Sequence, residues 1–224
     1  MGIRKTPLVD GEYYHIYSRG NSKQKIFLDE SDYQHFVNCL FICNTYKKFK
    51  FGRDIKLDPF DFDRGETVVS IGAWVLMPNH FHLYVSTSHK SDFWKEIEKS
   101  RISEFMRKLL TTYTLYFNKK YNRTGGLFEG RFKSVHMSLD TQAKYLFSYI
   151  HLNPVKLINS NWKKEGIKDI SKTITFLDSY KWSSYLDYAG IQRKENGILD
   201  RENFLNYFYK VKDFKKEIFN WISS

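Results

Sequence analysis

Hydrophobic and polar positions follow two periods along this chain. Tyr13–Ser18 is β-prone and stops at Arg19-Gly20-Asn21, a good turn sequence. Asp29–Asp32 supplies N-caps for a helix through about Tyr46, whose Phe36, Val37, Leu40, Phe41 and Cys43 recur at helical spacing. Val68–Met77 is rich in β-branched and apolar residues, and Pro78-Asn79 separates it from His80–Ser86; two such runs joined by a turn pair predict a hairpin. Ser91-Asp92 opens a long helix, about Asp92–Tyr121, which the glycines of Asn122–Gly130 break. Arg131–Met137 reads as a fourth strand. Asp140-Thr141 then caps a further helix that Pro154 must end or kink.

The order β-α-β-β-α-β-α predicts an α+β fold. Its form is a ferredoxin-like split βαβ: a four-stranded antiparallel sheet with helices on one face. Residues 47–66 are charged, contain Gly52, Pro59 and Gly65, and show no sustained period, so they read as an inserted loop. The catalytic or binding domain is expected over 1–158. Residues 159–224 form a C-terminal helical appendage, with short helices near 182–189 and 201–222.

Composition narrows the class. The 224 residues carry 36 Lys+Arg against 25 Asp+Glu, a formal net charge of +11. Such an excess points to a polyanionic partner, or to a solvated basic surface. A chain that is 42% hydrophobic and 18% aromatic is not disordered. Two cysteines supply no disulfide framework, so a cytoplasmic location is expected. No apolar run reaches the ~18 residues that a membrane span requires. Between 95 and 136, ten basic residues face four acidic ones, which makes this stretch the expected phosphate-tracking surface. A helix face of i,i+4 ion pairs is the plainer reading for several of these lysines.

His80-Phe81-His82 is the sharpest chemical feature. On a strand, i and i+2 share a face, so the two imidazoles stand side by side as half of a divalent metal site, or as two unrelated surface histidines. Tyr145, Tyr149 and Asn153 fall at i, i+4, i+8 on one helix face. If that face packs over the histidine strand, Asn153 can offer an oxygen ligand and Tyr149 a phenol beside the metal, able to attack phosphorus. Asn153 precedes Pro154, which disfavours helical geometry there. His35, Cys39 and Cys43 also share a helix face, but they lack zinc-knuckle spacing and read as buried thiols in a hydrophobic stripe. His136 and His151 are candidates for orienting a ligand or phosphate, with a surface role equally open.

Four motifs occur in a familiar order: Tyr14-His15-Ile16-Tyr17-Ser18-Arg19-Gly20-Asn21, Trp74-Val75-Leu76-Met77-Pro78-Asn79-His80-Phe81-His82-Leu83, Gly130-Arg131-Phe132-Lys133-Ser134 and Tyr149-Ile150-His151-Leu152-Asn153-Pro154-Val155-Lys156. With Trp182-Ser183-Ser184-Tyr185 near the end, they resemble the IS200-like tyrosine transposases, in particular the branch associated with repetitive extragenic palindromes. The resemblance covers roughly residues 8 to 190. It implies a single-strand DNA endonuclease and strand transferase acting on hairpin-bearing DNA, as monomer or homodimer. It assigns Mg²⁺ or Mn²⁺ to His80 and His82, with Asn153 completing the site. Tyr149 becomes the nucleophile that forms a 5′-phosphotyrosine link. Arg19, Asn21, Arg123, Arg131, Lys133 and Lys156 are the expected DNA-binding residues, with Arg19, Arg131 and Lys133 nearest the scissile phosphate. Lys156 stands where the family pattern has Arg, keeping the charge without the planar fork. The 47–66 stretch is longer than that pattern. Two rivals share these residues: a DNA-binding protein of the same fold without cleavage, and a metal-dependent hydrolase using activated water.

Overall fold

The computed structural model describes residues 7–51, 53–55, 58–87, 100–204 and 210–223. Four strands form one antiparallel sheet: β1 (Tyr13–Arg19), β2 (Ser70–Met77), β3 (His80–Ser86) and β4 (Lys133–His136), in spatial order β2-β3-β1-β4. With α1 (Glu30–Ile42) between β1 and β2 and α2 (Arg101–Lys120) between β3 and β4, this is the expected split βαβ.

The side chains of α1 and α2 explain the first layer. Phe36, Val37 and Leu40 of α1, and Phe105, Leu109 and Tyr113 of α2, recur at three- and four-residue spacing. They are buried against Ile16, Trp74, Leu76, Phe81 and Leu83 of the sheet. Asp29 caps α1 in a capping box with Asp32, which ends the extended entry segment. The helix stops at Ile42, earlier than the apolar spacing suggests. The expected cap of α2 at Ser91-Asp92 and its early residues Phe93 and Ile97 lie outside the described residues.

Helices on one face describe only this half. The other face is also covered, by α3 (Asp140–Leu152), α5 (Ile170–Ser179), α6 (Tyr185–Tyr188) and α7 (Val211–Ser223), around Ala73, Val75, Met77 and Tyr84. Period-2 alternation is consequently absent from β2, where all eight residues are buried. Of the helices expected in the appendage near 182–189 and 201–222, the first is α6 and the second is α7, which starts only at Val211 after a turn at 201–204 and residues outside those described. The appendage also contains α4 (Trp162–Glu165) and α5, which sequence periodicity misses because each buries so few side chains. Trp182 and Ser184 close the outer edge of β2: Leu76 N donates to Trp182 O and Ser184 N to Trp74 O, both at 2.9 Å.

The 47–66 segment contains a short 3₁₀ turn, Pro59–Asp61, and no α-helix among its described residues. It is tied down at several points. Phe60 packs 4.7 Å from Phe41, Asp58 pairs with Lys194, and Arg64 donates to Gly197 O at 2.6 Å.

Candidate active site

Strand register decides which side chains meet. His80 lies opposite Arg19 and Met77, and His82 opposite Tyr17 and Val75. Directly opposed residues of antiparallel strands point the same way. The two histidines therefore share the α3 face of the sheet with His15, Tyr17 and Arg19, while Phe81 enters the α1/α2 core. The turns reinforce this alignment. Gly20 N donates to Asn79 O at 2.9 Å, which holds the end of β1 against the β2–β3 turn. A Cβ on Gly20 would come 2.2 Å from Gln24 O, so the approach needs glycine.

A hydrogen bond fixes the tautomer of His80. His80 Nδ1 lies 2.7 Å from Asn79 Oδ1, which accepts, so the proton sits on Nδ1 and Nε2 keeps its lone pair. His82 Nδ1 lies 2.8 Å from His15 Nε2, and its own Nε2 is buried with no hydrogen-bond partner. Burial pushes the His80 imidazole down to about 4, helped by Lys156 and Arg19. Burial holds His82 well below the ordinary range, with His15, His80, Lys156 and Lys163 adding to it. His15 is pushed down to about 4 by burial. At neutral pH these rings are uncharged bases.

α3 lies across β2 and β3 and brings Tyr149 over the histidines. The rings of Tyr149 and His82 are 5.4 Å apart at 74°, and those of Tyr149 and His15 are 6.4 Å apart. Lys156 Nζ lies 3.4 Å from the Tyr149 hydroxyl and donates to it. Lys163 Nζ stands 4.1 Å above the ring centroid. Tyr145, one turn earlier, stacks parallel to Tyr149 at 6.2 Å but is 48% exposed. An open groove of about 680 Å³ runs along His15, Tyr17, His82, Tyr145, Tyr149 and Lys163.

Asn153 keeps right-handed helical geometry, φ −55° and ψ −39°, despite the proline after it. The expected displacement by Pro154 does not occur, because the chain passes directly into a 3₁₀ turn, Asn153–Leu157, that packs on β2. Asn153 is fully buried, and neither amide atom has a hydrogen-bond partner. A buried primary amide left unpaired costs about 1–3 kcal/mol. The Asn153 amide oxygen and the bare Nε2 of His82 are each an unpaired donor of a type that a divalent cation accepts. Among the described residues no group of three or more His, Cys, Asp and Glu is arranged to hold a metal ion. A cation here would take its remaining donors from water or phosphate oxygens.

The predicted basic residues separate. Lys156 reaches Tyr149, and Lys133 lies opposite Tyr17 in β4, exposed on the same sheet face. Arg19 is on that face too, but it is paired with Glu129, Nη2 to Oε1 being 3.0 Å. Arg131 is exposed just before β4. Asn21 lies in the turn after β1, its N–H donating to Leu127 O at 2.9 Å. Arg123 sits over Phe117 at 5.5 Å, at the α2 end of the opposite core. The broader basic stretch is partly neutralised: Arg101 pairs with Asp10, Arg107 with Glu104, and Lys120 with Asp29 and Asp32. Lys95 and Lys99 lie outside the described residues.

Neither remaining histidine candidate faces the groove. His151 is fully buried between Phe147 O and Ser184 Oγ, and His136 pairs with Glu12. Cys39 and Cys43 are free buried thiols. Sequence reasoning missed His15, Tyr17 and Lys163. The alternation of His15 and Tyr17 was visible, but only the register with β3 makes it part of this site.

At the level of sequence, comparison with known proteins yields no match for the chain: no protein-family model matches it, and no curated protein does. A solved structure of a REP-associated tyrosine transposase bound to a REP hairpin aligns over 87% of this chain and 90% of its own, with a TM-score of 0.47 and 15% identity. Among the described residues, no helix is long and apolar enough to cross a membrane.

Proposed function

We propose that the protein is a single-strand DNA endonuclease and strand transferase in which Tyr149 is the nucleophile, acting on hairpin-bearing DNA in the manner of a tyrosine transposase. The observation that carries this reading is the position of the Tyr149 phenol, beside the uncharged rings of His15 and His82 and within reach of Lys156.

The chain's own groups divide the work. The Tyr149 oxygen attacks the scissile phosphorus and forms the O–P bond, while the 3′-oxygen leaves with its bonding pair and takes up a proton as a free 3′-OH. The phenolic proton passes to water. Lys156 orients the phenol before attack and faces the charge that gathers on the phosphoryl oxygens during it. Lys163, over the ring, stabilises negative charge on the aromatic oxygen system. His80, His82 and Asn153 would hold Mg²⁺ or Mn²⁺. Two nitrogen donors make Mn²⁺ the more comfortable occupant. The bound ion would polarise the phosphoryl oxygen. Arg19 can exchange Glu129 for a phosphate, and Lys133 extends the cationic path along β4.

The test is incubation with Mn²⁺ and a labelled single-stranded hairpin, read on denaturing gels. A covalent protein–DNA adduct is expected, absent from Tyr149→Phe. Cleavage that survives this substitution without any adduct replaces the reading with a water-activating hydrolase. An adduct that persists in Tyr149→Phe and vanishes in Tyr145→Phe moves the nucleophile one turn along α3. Binding without cleavage identifies a DNA-binding protein of the same fold.

A further inference from the structure

The 47–66 insert takes no part in the proposed reaction. With α2 it walls an open groove of about 630 Å³, on the α1/α2 side of the sheet and opposite the histidines. The floor of this groove is aromatic. The Phe51 ring is 5.3 Å from His35, tilted by 35°, and His35 stacks on Tyr116 at 3.7 Å and 13°. Burial pushes His35 down to about 4, so its ring is uncharged at neutral pH and stacks as an apolar plate. Three rings thus form a short column that ends outward at Phe51, which is 38% exposed, beside Leu115, which is 66% exposed.

The rim is cationic. Lys47 and Arg107 are committed to Asp63 and Glu104. Lys48, Lys50 and Lys119 are exposed and form no close ion pair among the described residues, although the Asp54 carboxylate, which accepts from Lys50 N, also feels the Lys50 charge. Unpaired ammonium groups around an open aromatic stack complement one kind of ligand closely. A single nucleic-acid strand brings flat bases that continue the stack and one phosphate charge per nucleotide. An acidic polypeptide would satisfy the lysines and leave the ring column unused. A duplex would hide its base faces.

We propose that this groove is a second seat for single-stranded DNA, with a base stacked on Phe51 and flanking phosphates on Lys48, Lys50 and Lys119. The groove's own chemistry selects a single nucleic-acid strand; that the strand is DNA rests on the function proposed above, though not on Tyr149 being a nucleophile.

Fluorescence anisotropy of a labelled oligothymidylate of about 12 nucleotides, a length suited to such sites, tests it on the full chain. Phe51→Ala is expected to weaken binding roughly fivefold or more, the loss that follows removal of one stacking platform. Lys48→Ser with Lys50→Ser should reduce the log–log salt slope by about 1.4, two phosphate contacts' worth. A 5-iododeoxyuridine oligonucleotide should photo-crosslink to the peptide containing Phe51, in the unaltered chain and in Tyr149→Phe alike. Unchanged affinity and slope in both groove variants, with crosslinks confined to the Tyr149 face, overturns the proposal. Stronger binding of polyglutamate at this groove overturns it in favour of an acidic polypeptide. Neither failure touches adduct formation at Tyr149, and loss of the adduct leaves the crosslink in place.

Discussion

At the scale of single residues, the candidate site holds polar atoms that folding alone does not use. Asn153 is the clearest of them, because its amide is buried and unpaired in a region that would accept an apolar side chain. Asn153→Leu is therefore expected to stabilise the metal-free chain by about 1 kcal/mol, seen as a higher melting temperature in EDTA. The same substitution should remove any stabilisation by added Mn²⁺. Lys163→Ala tests the other side of the phenol: adduct formation should slow roughly tenfold, as for loss of a cation interaction of about 1.4 kcal/mol, in single-turnover assays. Spacing puts His80 with His82 on one strand face, and Tyr145 with Tyr149 and Asn153 on one helix face, because period 2 and period 4 survive folding unchanged. His15 and Lys163 were not legible in this way. One depends on which strand pairs with which, and the other on where a four-residue helix docks.

At the scale of elements, stability gathers where helix ends meet. Asp32 is fully buried at the start of α1, where it accepts from Leu28 N and from Tyr121 at the end of α2, and pairs with Lys120. Asp32→Ala removes the reciprocal half of the capping box and the buried acceptor of Leu28 N, while Lys120 keeps Asp29, so a loss of about 3 kcal/mol is expected from urea unfolding. Gly72 makes a smaller demand. It sits at the register shift between Ile71 and Ala73, and a Cβ there would lie 2.7 Å from the Phe204 ring. Gly72→Ala should cost about 1–3 kcal/mol by overpacking, measured the same way. Three strands and the first three helices were readable because each buries a long stripe, whereas the four-residue β4 buries none and was readable from its place between the glycine-rich break and the Asp140 cap. Trp162–Glu165 and Ile170–Ser179 were not, since their turns are set by the surface on which they lie.

At the scale of the molecule, several imidazoles are folded into places that favour the neutral ring. For His35 the folded value is about 4, against an ordinary 6.5. A lowered folded value means that the unfolded chain binds the proton more readily. The contribution is full above pH 6.5 and is lost progressively as pH falls towards 4. Because His35 is only partly buried, its share at pH 5 is about 1 kcal/mol after solvent screening. Thermal melts between pH 7 and 5 should fall steeply, and His35→Phe should flatten that fall.

The backbone bonds from Trp182 and Ser184 to β2 have a consequence for assembly. They cover one border of the sheet at Trp74–Leu76 with the chain's own main chain, and the other border is the four-residue β4, which carries the exposed Lys133. Neither border is then a template for strand addition by another copy. Shortening the chain before Trp182 would unmask a long apolar ribbon. The expected outcome is accumulation of insoluble, thioflavin-positive material, however well the histidine face survives.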